Sequence, residues 1–150
     1  MHVTVEKEIN SPVAQVWSAI CDIEHSDKMI SGIVKINVLH KPEDGIVGLK
    51  WEETRKMFGK EALETMWITE SKPESYYYTR AENHGAIYTT KMSVRENGDK
   101  TILGMEFSAT SNSKFGRFMS SVMGFLMKKS MTKMLDADLE DIKKFVEAGE

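Results

Sequence analysis

Residues 51–67, WEETRKMFGKEALETMW, decide how the rest of the chain is read. Two runs of alternating residues, Trp51 to Met57 and Lys60 to Trp67, flank Phe58-Gly59. A period of two marks a strand with one face toward a core, so the stretch predicts a β-hairpin. Leu49, Trp51 and Met57 form the apolar face of the first strand, and Lys50, Glu52, Thr54 and Lys56 the polar one. Glu53 and Arg55, however, fall on the side of Trp51. Charges on the inward side of a strand need an explanation, because burying them unpaired is costly.

Two registers are open. With a two-residue turn at Phe58-Gly59, Met57 faces Lys60, Arg55 faces Ala62, Glu53 faces Glu64 and Trp51 faces Met66. Cross-strand partners share a face, so Leu49, Trp51, Met57, Ala62, Met66 and Ile68 then make one apolar set. Glu53, Arg55 and Glu64 meet within it, while Lys56 lies beside Glu61 on the outside. A three-residue loop with Gly59 in a bulge shifts the pairing by one. Glu64 then turns outward and Glu61 comes against Arg55. The first register gives the more consistent apolar face.

Outward from the hairpin, the same period continues. IVKINVLHK (33–41), YYYTRAEN (76–83), AIYTTKMSVR (86–95) and TILGMEFSAT (101–110) read as strands separated by PEDG, KPES, HG and ENGD. Such short turn signals give a six-stranded antiparallel meander. Before it, Val3, Val5 and Ile9 alternate with polar residues, predicting a strand over 2–10. Ser11-Pro12 predicts a helix start, with Ser11 as N-cap, Pro12 at the first helical position and Val13, Val16, Trp17 and Ile20 as its apolar stripe. A second short helix fits near 23–30. After the polar loop SATSNSK the period becomes helical from Lys114 to about Val146, with Met119, Val122, Leu126, Leu135, Leu139, Ile142 and Val146 as the stripe. Only this helix is long enough to cover one face of a seven-stranded curved sheet. One helix cannot fill such a sheet everywhere, so the expected α+β architecture encloses a cavity.

The 150 residues are enough for one domain with a real core, and no repeat or linker divides residues 1–150. A net charge of -3 argues against general nucleic-acid binding, which needs a basic surface. Cys21 is the only cysteine, so an internal disulfide is excluded and a cytoplasmic setting is expected. The N-terminal MHVTVEKEIN lacks the apolar run of a leader, and FMSSVMGFLM (118–127) is too short for stable membrane insertion.

INSPVAQVWSAICDIEH (9–25), GLKWEETRKMFGKEALETMWITE (48–70) and MLDADLEDIKKFVE (134–147), in this order of elements, resemble the START-like (SRPBCC) superfamily, within it the polyketide cyclase/dehydrase-like family. The resemblance spans the chain and implies the helix-grip fold, a curved antiparallel sheet wrapped round a C-terminal helix. It also implies a hydrophobic cavity of the kind that takes lipids or polyketides. It carries no shared catalytic motif, so site residues are argued from this chain alone.

The candidate cavity wall comprises Trp51, Glu53, Arg55, Glu64 and Met66 from the hairpin, Tyr78, Tyr88, Thr90 and Met105 from later strands, and Met119, Met123 and Met127 from the helix. Met119, Met123, Met127 and Met131 are spaced by four and stack along one helix flank, with Met134 close behind. Flexible, polarizable methionines make an adaptable wall for an apolar ligand, or simply fill a core. Tyrosines facing inward can donate a hydrogen bond to a carbonyl or phenol. His84, at a turn before Gly85, is either an exposed turn residue or a general acid or base. No histidine or cysteine pattern suggests a metal, and no phosphate or dinucleotide fingerprint suggests a cofactor.

Two functions of different class fit these residues. One is a carrier or sensor that binds a hydrophobic, partly polar small molecule, its polar group anchored by Glu53, Arg55 and Glu64. The other is a cyclase, dehydratase or hydrolase acting on a polyketide-like or aromatic compound, with a glutamate as acid or base and Arg55 or a tyrosine holding the oxyanion. A filled interior with a large exposed apolar patch would instead indicate a protein partner.

Overall fold

The computed structural model describes residues 1–57, 59–83, 85–111 and 121–149, and the side chains of these except for 111 and 121–124. The chain runs β1 (His2–Ile9), α1 (Val13–Cys21), a 3-10 helix (Ile23–Lys28), β2 (Ile33–His40), β3 (Lys50–Met57), β4 (Lys60–Lys72), β5 (Tyr76–Asn83), β6 (Ala86–Asn97), β7 (Lys100–Ser111) and the long α2 (Ser121–Ala148). The strands form one seven-stranded antiparallel sheet in the order β1-β7-β6-β5-β4-β3-β2. The six strands after the helices pair with their sequence neighbours, and β1 closes onto β7.

The hairpin that opened the question takes the two-residue register. Trp51 pairs with Met66, Glu53 with Glu64, Arg55 with Ala62 and Met57 with Lys60. Gly59 supplies the left-handed conformation the turn needs, at φ 78°. Bulges at Ile33/Lys35, at Val38/His40 and at Ile68/Glu70 bend the sheet, since each extra residue on one strand increases local twist.

The start of α1 falls one residue later than the sequence reading. Pro12 is the N-cap, with extended backbone at φ -67° and ψ 156°, and it receives no side-chain cap bond. Ser11 instead donates to Gln15 Oε1 and, through its carbonyl, accepts from the buried Thr101 hydroxyl. The helical period of the C-terminal part places α2 at Ser121–Ala148, two residues beyond the expected end. The expected start at Lys114 lies outside the described residues.

The core is built between the concave sheet face and the C-terminal half of α2. Leu135, Leu139 and Ile142 from α2 meet Ile9, Leu103, Ile68 and Val16, all buried. Each such side chain contributes on the order of 1.5–3 kcal/mol. The C-terminal half of α2 is tied down by polar contacts as well. Lys7 of β1 bonds Glu140 at 2.8 Å and Asp136 at 3.3 Å, and Asp141 accepts from the backbone and hydroxyl of Ser31. The preceding turns carry no comparable anchors among the described residues, and there Phe125, Leu126 and Met127 are exposed.

Candidate functional site: a polar cluster in an apolar cavity

Between sheet and helix lies a cavity of about 370 Å³. Its walls are mostly apolar: Ile23, Met29 and Ile30 from the first helical segments, Met92, Met105 and Phe107 from the sheet, and Met127, Met131 and Met134 from α2. Met57 and Leu63 of the hairpin and Asn83 of β5 also line it, and of the lining residues Leu63 and Met127 are exposed.

Against this apolar lining sits one charged cluster. Alternation along β3 points Trp51, Glu53 and Arg55 inward together, and the register brings Glu64 beside Glu53. Arg55 Nε donates to Glu53 Oε2 at 3.3 Å, and Trp51 Nε1 reaches the other oxygen of Glu53 at 3.4 Å. The decisive partner comes from the far end of the sequence. Arg55 Nη1 lies 2.9 Å from Asp138 Oδ2 and donates to Oδ1 at 3.1 Å. Asp138 is one helical step from Leu135 and Ile142, so it projects from the core stripe of α2 rather than from its wet side. Gly32 lies against the same guanidinium; a Cβ there would come to 3.4 Å from Arg55 Nη1.

Electrostatics follow from this geometry. Burial opposes the charge on Arg55, but Asp138 and then Glu53 more than offset it, so the guanidinium is held firmly ionised. Burial pushes the Asp138 carboxyl above the usual carboxylate range; Arg55 pulls it down and Glu53 adds repulsion. Glu64 is raised as well, first by burial and then by the charge of Glu53. Among the described residues Glu64 makes no hydrogen bond or ion pair, and its carboxyl faces the cavity.

Of the residues proposed from sequence, Trp51, Glu53, Arg55, Glu64, Met66, Tyr88, Thr90, Met105 and Met127 lie on the cavity wall. Tyr78 does not, and its assignment is corrected. It stands on the convex face, opposite Lys91, whose Nζ is 5.8 Å from its ring, in edge contact with Tyr76. The reason is strand phase: on β5 the inward, buried residues are Tyr77, Thr79 and Ala81. Met119 and His84 lie outside the described residues, as does the side chain of Met123.

Sequence reasoning missed Asp138, and it weighed Tyr77 only as one of several tyrosines without placing it on the cavity wall. The signal for Asp138 was available, since an aspartate three residues after Leu135 shares its helix face. Tyr77 is fully buried and donates to the carbonyl of Ile20 at 2.8 Å, tying β5 to the end of α1. That burial holds its phenol well above the ordinary tyrosine range. Cys21 beside it is half-buried, and burial pushes its thiol up to about 12. Among the described residues no group of three His, Cys, Asp or Glu is placed to hold a metal ion. No helix among them is long and apolar enough to cross a membrane.

Comparison with known proteins gives these features a family. Residues 1–147 match the model of the polyketide cyclase / dehydrase and lipid transport family, and the chain belongs to it. A search of curated proteins finds no match. Among solved structures, a START superfamily protein from Mycobacterium smegmatis superposes with a TM-score of 0.83 at 14% identity, covering 99% of both chains. A protein from Thermus thermophilus gives a TM-score of 0.82 at 16% identity, covering 100% of this chain and 99% of that one. The Zhui aromatase/cyclase from Streptomyces sp. R1128 gives 0.78 at 12% identity, covering 98% and 93%. At these identities the likeness establishes the START-like, helix-grip fold.

Proposed function

We propose that this member of the polyketide cyclase/dehydrase and lipid-transport family is a carrier or sensor that holds a hydrophobic, partly polar small molecule between its sheet and its C-terminal helix. The observation that carries this reading is a mostly apolar cavity of about 370 Å³ with a charged cluster, Glu53, Arg55, Glu64 and Asp138, among its lining. Ligand sites characteristically have volumes of about 300–1,000 Å³, mostly apolar walls and few polar groups. A merely structural charge network would not need that adjoining volume. The methionines Met127, Met131 and Met134 supply a deformable wall that suits a ligand of imperfect fit.

The test is native mass spectrometry of the purified protein, together with fluorescence of an uncharged apolar dye. A co-purifying small molecule, or saturable dye binding displaced by 1-decanol, supports the reading. An empty protein on which the dye shows no saturation sinks it.

One observation favours a second reading. Glu64 faces the cavity with its carboxyl pushed above the usual range by burial. A carboxylic acid whose burial strengthens its hold on the proton has the character of a general acid for a dehydration or cyclisation of a polyketide-like or aromatic substrate. The aromatase/cyclase neighbour adds a fold-level analogy. Turnover whose pH dependence vanishes in Glu64→Gln would put the enzyme reading first.

A further inference from the structure

The charges on the cavity wall are unbalanced, and the imbalance selects a ligand class. Its lining side chains include three carboxylates, Glu53, Glu64 and Asp138, and one cation, Arg55. That cation is already committed: Nε to Glu53 and Nη1 to Asp138. Glu64 is left over, half-buried, and among the described residues it has no ion-pair or hydrogen-bond partner. The ammonium of Met1, which is also among the lining residues, donates to the carbonyl of Ala109 at 3.0 Å. An arginine that anchors a fatty acid or a phosphate turns its charge to the ligand; here two of its three nitrogens are held by the protein's own acids, which outnumber it.

We propose that the cavity binds an amphiphile whose polar end is a cation, such as a primary or secondary amine, with the ammonium against Glu64 and the apolar part along the methionines. This rests on the cavity being a ligand site and adds the charge of its occupant. A bound ammonium supplies the direct partner that Glu64 lacks among the described residues, where the charge of Arg55 only partly offsets burial and the repulsion of Glu53. A carboxylate in the same place meets the Glu53–Glu64 side of the cluster and is repelled. The hydrogen bond formed is charge-assisted, the stronger class.

Glu64 is faced by Glu53 and Arg55 across the β3–β4 pair, by Asn83 of β5 along the same wall and by Asp138 from α2. Amine affinity therefore rises with pH as Glu64 ionises, and levels off once it is fully charged.

The experiment compares decylamine, 1-decanol and decanoate by calorimetry at pH 7.5, each below its micelle concentration. We expect decylamine to bind at least about tenfold more tightly than 1-decanol, and decanoate more weakly than either, from the worth of one charge-assisted bond. Glu64→Gln removes the preference for decylamine over 1-decanol. Glu64→Lys reverses it toward decanoate, a gain that a misfolded variant cannot give. Equal affinities, or decanoate binding tightest to the unaltered protein, overturn the amine assignment and leave the apolar pocket standing. Failure of all three probes, 1-decanol included, overturns the pocket and the amine assignment together.

Discussion

Two arginine–carboxylate pairs in this protein have nearly the same geometry and opposite settings. Arg55 meets Asp138 at 2.9 Å inside the cavity wall, with side chains 14% and 7% exposed. Arg95 meets Glu6 at 2.7 Å on the convex side, with side chains 62% and 50% exposed. The shorter contact is the weaker one. In water the Coulomb attraction is largely screened and two long side chains lose freedom to hold it. Inside, the attraction is much stronger, but so is the cost of having removed both charges from water. Distance alone therefore says little; the question is what remains when one partner is taken away.

The largest effect is expected at the inner pair. Asp138→Ala leaves Arg55 buried with only Glu53 at 3.3 Å, and we expect a loss of about 3 kcal/mol, the low end for a broken buried pair because that second carboxylate remains. Urea unfolding at pH 7 measures it. The comparison sharpens with Arg55→Leu/Asp138→Leu. Removing both charges together should recover more than half of that loss, because the penalty lies in the orphaned charge more than in the missing attraction. A double variant as unstable as the single one would show that the pair contributes attraction well beyond its desolvation cost.

How much of this contrast could be read from the chain depends on which period governs each residue. The β3–β4 hairpin was legible because alternation and the Phe58-Gly59 break mark its two strands. Its register stayed open between a two-residue and a three-residue loop, and the apolar face only favoured the first, which the structure adopts. The cluster of Glu53, Arg55 and Glu64 follows from that pairing alone. Asp138 was not singled out because its partner lies 83 positions earlier, and nothing local says which rotation of α2 meets which strand. Tyr78 went to the wrong face for a different reason. Tyr76, Tyr77 and Tyr78 are consecutive, so hydrophobicity cannot set the phase of β5. The bulge at Ile68/Glu70 then breaks the count carried over from the hairpin. Thr79 and Ala81 decide the phase only by being buried.

A middle-sized effect belongs to Glu64, the member of the inner cluster without an ion-pair partner among the described residues. Its folded-state pKa is raised above the ordinary carboxylate value, first by burial and then by Glu53. Between those two values the folded protein holds more of the proton than the unfolded chain does. Stability is then complete below the ordinary range and declines as pH rises through the raised value. Glu64→Gln abolishes that decline. It should raise stability at pH 7 by about 0.2–1 kcal/mol, the scale of like charges directly opposite on paired strands. Thermal melts of both proteins from pH 4 to pH 8 check this: the curves converge at the acid end and separate toward neutrality.

The smallest effect completes the comparison. Arg95→Ala removes the outer pair, and the carboxylate it leaves behind, Glu6, is half exposed and keeps its water. No orphaned buried charge results, so the expected loss lies within about 0.5 kcal/mol at low salt. The remaining attraction is screened over about 8 Å at physiological ionic strength, so most of even this difference should vanish when the salt is raised to about 1 M. The Asp138→Ala loss, by contrast, should persist under the same salt, since ions do not enter the space between Arg55 and α2. Urea unfolding of both variants at the two salt concentrations measures this directly. Parallel salt dependence would mean that solvent reaches the inner pair as freely as the outer one, and that the cavity wall around Arg55 is wet.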